Sequence, residues 1–254
     1  MHIETTGTGP DLVLIHGWAM HSGVFAPLTR ELKSQFRLHL VDLPGHGASN
    51  RDTAACDPAS CAAAIAAMTP RALWVGWSLG GIVTLQAALN HSAQVRALVE
   101  IATPPRFVAS PEWPRGVSRD VFTQFARGLK QDYRNTIERF LALETMGSDH
   151  ARSELRDLKS HVFDRGEPSP DALELGLHAL GTIDLRARLA DLHVPSLWVA
   201  GGRDRLVSAG ALRWAAKQSP QGRFMEFPTG HAPFISHGKE VAAAISAFAQ
   251  EIAA

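Results

Sequence analysis

The amino-acid sequence predicts an α/β fold: a mostly parallel, doubly wound sheet with a helical cap inserted into it. Short apolar runs recur along the 254 residues, each ending near Gly, Pro or Asp. Helical stretches separate them, the alternation that a parallel sheet requires. Between about residues 110 and 182 the alternation stops and only helical stretches remain.

The apolar runs lie at 12–15, 38–41, 72–75, 97–101, 196–200 and 223–227. Their nearly continuous apolar character suits strands covered on both faces. Helices are predicted near 24–34, 60–69, 79–90, 209–218 and 238–252. The interrupted stretch holds helical runs near 120–131, 133–145, 149–162 and 171–180, set apart by Pro111, Pro114, Gly147, Pro168 and Pro170. The expected organisation is a core of 1–109 and 183–254 carrying a cap, or lid, of 110–182.

Composition narrows the function. Hydrophobic residues make up 45% and charged residues 20%, as in globular proteins rather than disordered ones. A chain this long buries a large core without metal or disulfide staples. Lys+Arg and Asp+Glu are both 25, which argues against nucleic-acid binding, where a basic excess is needed. Cys56 and Cys61 are too few to hold zinc and are read as unpaired thiols, a disulfide being the lesser reading. The first residues lack the basic and apolar regions of a signal peptide. No apolar run reaches the roughly 18 residues of a membrane span. A cytoplasmic monomer with no membrane partner is expected.

Gly76-Trp77-Ser78-Leu79-Gly80-Gly81 follows a predicted strand and opens a predicted helix. A nucleophilic serine on a tight strand-to-helix turn needs small flanking residues, and Gly76 and Gly80 supply them. The turn sets Ser78 at a helix N-terminus, where N–H groups favour a developing anion. The base should follow the last strand. His231, in Gly230-His231-Ala232-Pro233-Phe234, does so; His237 stands where the final helix begins and reads as a surface or capping residue. The acid should follow the preceding strand, where Asp204 sits in Gly201-Gly202-Arg203-Asp204-Arg205. One strand earlier there is only Ala102-Thr103. In the expected triad His231 takes the Ser78 proton and Asp204 fixes the imidazole tautomer. The amides of Leu79 and Trp18 are the expected oxyanion donors, with Gly17 allowing the turn. His16 reads as a brace of that loop. No metal or organic cofactor is expected.

His16-Gly17-Trp18, Val41-Asp42-Leu43-Pro44-Gly45-His46-Gly47 and the Ser78 and His231 motifs resemble the α/β-hydrolase superfamily. The cap segment 138–147, Glu112-Trp113-Pro114 and residues 232–237 resemble its biotin-pathway pimeloyl-acyl-carrier protein methyl ester esterases. The resemblance implies hydrolysis of a methyl ester that masks the distal carboxylate of a carrier-bound dicarboxylic acyl chain. It implies an acidic acyl-carrier protein as partner, met by basic cap residues. Arg139, Arg152 and Arg156 match such positions, and Asn135 occupies another where relatives carry Arg. Arg134 and Lys159 extend the set; Arg152, Arg156 and Lys159 fall at i, i+4 and i+7. Trp18, Trp77 and Phe140 are candidates to line an acyl slot. The alternatives are a generalist short-chain esterase, C–C bond hydrolysis or perhydrolysis, and a small-molecule receptor on the same fold.

Overall fold

Seven strands build one sheet: β1 (His2–Gly7), β2 (Asp11–Ile15), β3 (Arg37–Asp42), β4 (Ala72–Trp77), β5 (Val95–Ile101), β6 (Ser196–Gly201) and β7 (Gly222–Phe227). In this computed structural model their order is β1-β3-β2-β4-β5-β6-β7. The structure describes all residues except Thr53, Ala55, Cys56, Gly147, Ser148, His150, Phe163 and Ala254, and the side chains of all but Lys130, Tyr133 and His161 among the rest. The pairing of Cys56 therefore lies outside the described residues; Cys61 is buried.

Every neighbouring pair is parallel except β1 with β3. The strands β2 and β4 are buried almost throughout, which is why their sequences read as unbroken apolar runs. The edge strand β1 is not among the predicted runs. It pairs on one side only and stays largely exposed, so His-Ile-Glu-Thr-Thr-Gly carries no apolar signal.

Helices cover both faces: α1 (Ala26–Leu32), α2 (Pro58–Met68), α3 (Leu79–Asn90), α4 (Arg119–Gln131), α5 (Tyr133–Thr145), α6 (Ala151–Val162), α7 (Pro170–Thr182), α8 (Ala209–Gln218), α9 (Pro233–Ser236) and α10 (Gly238–Glu251). Local chemistry sets several starts. Asp57 caps α2 by accepting from Ser60 N at 2.9 Å, with Pro58 in the first turn. Asp132 caps α5 in the same way, accepting from Asn135 N at 3.1 Å directly after α4 ends. Among the described residues no helix is long and apolar enough to cross a membrane.

The strand order reverses between β2 and β4, so the loops leaving their carboxyl ends diverge and leave a crevice there. Both loops carry expected site residues: Gly17 and Trp18 after β2, Ser78 after β4. The approach is close. A Cβ on Gly17 would lie 3.3 Å from the Ser78 Cβ. A Cβ on Gly80 would collide with the Ile15 carbonyl oxygen and fall 2.6 Å from that of His16. Both obstacles are backbone, so Gly80→Ala must push α3 away from β2. We expect a loss of about 1–3 kcal/mol, as for other overpacked sites, visible in chemical denaturation. An unchanged midpoint would mean that the helix start yields without strain.

The four helices α4–α7 lie between β5 and β6, over the carboxyl ends of the strands. Main-chain bridges Val108–Val117 and Ser110–Trp113 precede them. Hydrogen bonds fasten this layer to core loops. Ser169 N donates to Gly45 O at 2.7 Å, and the Trp18 indole to Leu173 O at 2.9 Å. His21 Nε2 meets Asp164 Oδ1 at 2.5 Å. Gly45 has φ 76°, and a Cβ there would collide with Ala172 on α7.

Candidate active site

Ser78 links β4 to α3 with φ 55° and ψ −117°, a backbone state that costs a non-glycine residue about 1–3 kcal/mol. Its surroundings hold it there. Ser78 N donates to Ile101 O at 3.0 Å, and Ser78 O accepts from Gly81 N and from Thr103 Oγ1, each at 3.0 Å. A Cβ on Gly76 would lie 2.5 Å from Gly81 Cα, so the turn closes only with glycine at that position. Leu79 is the first residue of α3, and its N–H has no partner within the helix.

A buried carboxyl supports the turn from behind. Thr84 Oγ1 donates to Gly81 O at 2.8 Å and lies 2.5 Å from Glu100 Oε1. A hydroxyl has one proton, so Thr84 shares it between the Gly81 carbonyl and the Glu100 carboxyl. Burial pushes the Glu100 carboxyl well above the usual range, and the Thr84 contact offsets only part of that.

Asp204 and His231 meet from the loops after β6 and β7. His231 Nδ1 lies 2.7 Å from Asp204 Oδ2. Asp204 Oδ1 accepts from Leu206 N at 2.7 Å and Val207 N at 3.0 Å, so the carboxylate cannot rotate without losing both. The Trp77 indole donates to His231 O at 2.9 Å, and His231 N donates to Glu144 O at 2.9 Å. Burial opposes charge on His231. The Asp204 charge and hydrogen bond, with help from Glu144, outweigh it and raise the His231 pKa.

Ser78 and His231 line one narrow cavity of about 30 Å³ of free space, shared with Phe107, Phe125, Phe140 and Leu177. The His231 Nε2 atom is buried without a hydrogen-bond partner among the described residues. The structure thus joins Asp204 to His231 and leaves the Ser78–His231 hydrogen bond unmade. Serine–histidine contacts are often loose before substrate arrives.

The other expected residues divide. Of the three aromatic candidates for an acyl slot, only Phe140 lines this cavity. Trp77 is fully buried behind it, edge-on to Phe234 at 5.2 Å, and braces the His231 loop. Trp18 packs edge-on against Phe140 at 4.8 Å while its indole is tied to α7. His16 is fully buried: Nδ1 donates to Gly17 O at 2.8 Å and Nε2 accepts from Leu43 N at 3.0 Å. Burial first, then His46, lowers its pKa to about 3, so it stays a neutral brace. His237 precedes α10, its ring 3.1 Å from Ser236 Oγ.

Among α4–α7 and their connections, Arg134 pairs with Glu167 and Lys159 with Glu138 at 2.6 Å. Arg139, Arg152 and Arg156 are exposed and make no ion pair among the described residues. A groove of about 750 Å³ between α4 and α7 shares Phe122 and Leu177 with the cavity of Ser78. Sequence reasoning missed Phe107, in the segment after β5, and Phe122 and Phe125 on α4 as lining, because isolated apolar residues and apolar residues at helical spacing both read as core. Among the described residues no three metal-ligating side chains cluster.

The model of the alpha/beta hydrolase family matches residues 12–244. Pimeloyl-acyl-carrier protein methyl ester esterases match over nearly the whole chain. The one from Xanthomonas campestris pv. campestris is 53% identical over 249 residues, covering 98% of each chain. This chain is an α/β-hydrolase of the pimeloyl-acyl-carrier protein methyl ester esterase family. Another relative in that family, from Stenotrophomonas maltophilia, is 53% identical over 249 residues, 98% of this chain and 96% of its own. More distant solved structures share the fold of this esterase-family chain. A bromoperoxidase from Bacillus anthracis aligns with a TM-score of 0.89 at 19% identity, over 98% of this chain and 94% of its own. An esterase from Exiguobacterium antarcticum aligns at 0.88 and 22%, over 98% and 95%.

Proposed function

We propose that this protein is a serine carboxylesterase that hydrolyses the methyl ester of a pimeloyl-acyl-carrier protein, freeing methanol, in biotin synthesis in the cytoplasm. The observation that carries the chemistry is the Asp204–His231 pair, whose Nε2 has no hydrogen-bond partner among the described residues and whose imidazole lines the cavity of Ser78. The likeness to the named esterases at 51–53% identity carries the substrate.

In this reading His231 takes the Ser78 proton as Oγ attacks the ester carbonyl. The oxyanion faces the amides of Leu79 and Trp18, each worth roughly 3–4 kcal/mol. His231 then gives its proton to the departing methoxide, and methanol leaves an acyl-enzyme. A water, deprotonated by His231, attacks that ester, and the proton returns to Ser78 as the free carboxylic acid departs. Nothing in this sequence calls for a metal or an organic cofactor.

Residues 110–182 act as a lid that supplies both the apolar walls and the docking face for the carrier. Phe140 lines the acyl slot, while Trp18 and Trp77 shape it from behind. Among the described residues Arg139, Arg152 and Arg156 are exposed cations of that face without an ion pair; Arg134 and Lys159, each held by a glutamate, sit at its margin. The protein acts as a monomer, without nucleic acid or membrane.

The test is a double Arg152→Glu, Arg156→Glu variant assayed at low ionic strength. Rim charges act mainly on association, and added salt screens them. We expect kcat/KM on the pimeloyl-carrier methyl ester to fall about tenfold or more, with the deficit shrinking as salt rises. The rate on a p-nitrophenyl ester should stay at the wild-type level. Equal losses on both substrates would make the arginines structural. A wild-type enzyme indifferent to the carrier would leave the generalist esterase as the better reading.

A further inference from the structure

Glu144 has no part in the chemistry above. It sits in the last turn of α5, on the helix stripe of Ile137, Phe140 and Leu141, which are all buried. Those positions run i, i+3, i+4 and i+7, so a carboxyl occupies an apolar place. Its side chain is 1% exposed, and among the described residues neither carboxyl oxygen has a hydrogen-bond partner. Its carbonyl oxygen holds the N–H of His231. The charged and titratable groups facing the carboxyl are His231, from the loop after β7, and Asp204, from the loop after β6. The neighbouring Arg203 and Asp149 satisfy each other at 2.5 Å, and Glu138 and Arg139 of its own helix face solvent.

We propose that Glu144 is a positioning residue for the Asp204–His231 pair, a second carboxyl whose ionisation reinforces the positive charge His231 gains when Ser78 attacks. The inference rests on the triad reading above and deepens it. An unpartnered buried carboxyl is held as the neutral acid. Burial lifts its pKa to about 8; His231 draws it down and Asp204 pushes it up, by lesser amounts. As the pH passes that value the resting enzyme gains a negative charge beside the imidazole. The imidazolium formed during attack now has two carboxylates beside it. The rate should therefore rise as Glu144 ionises.

The test compares kcat/KM against pH for wild type and Glu144→Gln on a p-nitrophenyl ester, with Ser78→Ala as the blank for hydroxide. Gln keeps the shape and cannot ionise. We expect the ratio of wild type to variant to stay constant below neutrality and to grow through pH 8, by about tenfold for a coupling of about one pKa unit. A ratio that stays constant across the whole range would overturn the proposal and leave Glu144 a packing residue. If Glu144→Gln fails to fold, infrared spectra of glutamate-labelled Ser78→Ala protein give the second measurement. A protonated carboxyl lost near pH 8 supports the proposal; none lost there overturns it. Activity that survives in Ser78→Ala would instead overturn the triad reading, a separable failure.

Discussion

Ser78→Ala should lower kcat by about 10³-fold or more and leave the fold in place. Alanine keeps the Cβ, so the strained turn at φ 55° is no more strained than before. The three hydrogen bonds that hold the turn use main-chain atoms of residue 78, which the substitution does not touch. Only the hydroxyl oxygen goes. Turnover of a p-nitrophenyl ester and a melting curve check the two halves separately. A phosphonate inhibitor should label Ser78 in wild type, as peptide mass mapping would show, and should not label the variant. Turnover near the wild-type rate in Ser78→Ala would sink the assignment.

Asp204→Asn should cost about 10⁴-fold in kcat, for a reason visible in the loop around it. Two main-chain N–H groups, of Leu206 and Val207, point at Oδ1. An asparagine must offer its carbonyl oxygen to both. Its amide nitrogen then takes the place of Oδ2 and faces Nδ1 of His231. A donor there demands an unprotonated Nδ1, which puts the ring proton on Nε2 and removes the lone pair that the Ser78 hydroxyl needs. The flipped amide would set two N–H groups against a third and is disfavoured. Single-turnover rates together with the imidazole N–H resonances test both the size and the cause. A small loss, or an Nδ1–H tautomer retained in the variant, would refute this account.

The sequence was most legible where chemistry is local. The turn at Ser78 is written in Gly76 and Gly80, whose missing side chains the main chain fills, and α3 spans the predicted 79–90. The strands β2 and β4 read clearly because both faces are covered. The edge strand β1 did not, because its burial is partial. The cavity wall was hidden for another reason. Phe122 and Phe125 on α4 look like core in sequence, and only the packing of α4 beside α7 over Ser78 makes them lining. Trp77 shows the converse: adjacent to Ser78 in sequence, it points away and supports His231 from behind. The Glu144 signal was present, a carboxyl on an apolar stripe, but its meaning depends on the loops it meets.

The two buried carboxyls, Glu100 and Glu144, also change what this protein looks like electrically. The formal charge of zero counts all 25 acidic residues as ionised. Burial pushes both carboxyls up, Glu144 to about 8, so the folded molecule is more positive near neutrality than its composition states. Unfolding exposes both groups, and they ionise. Native isoelectric focusing should therefore place the folded protein on the basic side of the 7.2 that composition gives, with the urea-unfolded chain banding at a lower pH. Folding itself shifts an electroneutral chain toward positive charge, the sign that favours an encounter with an acidic particle.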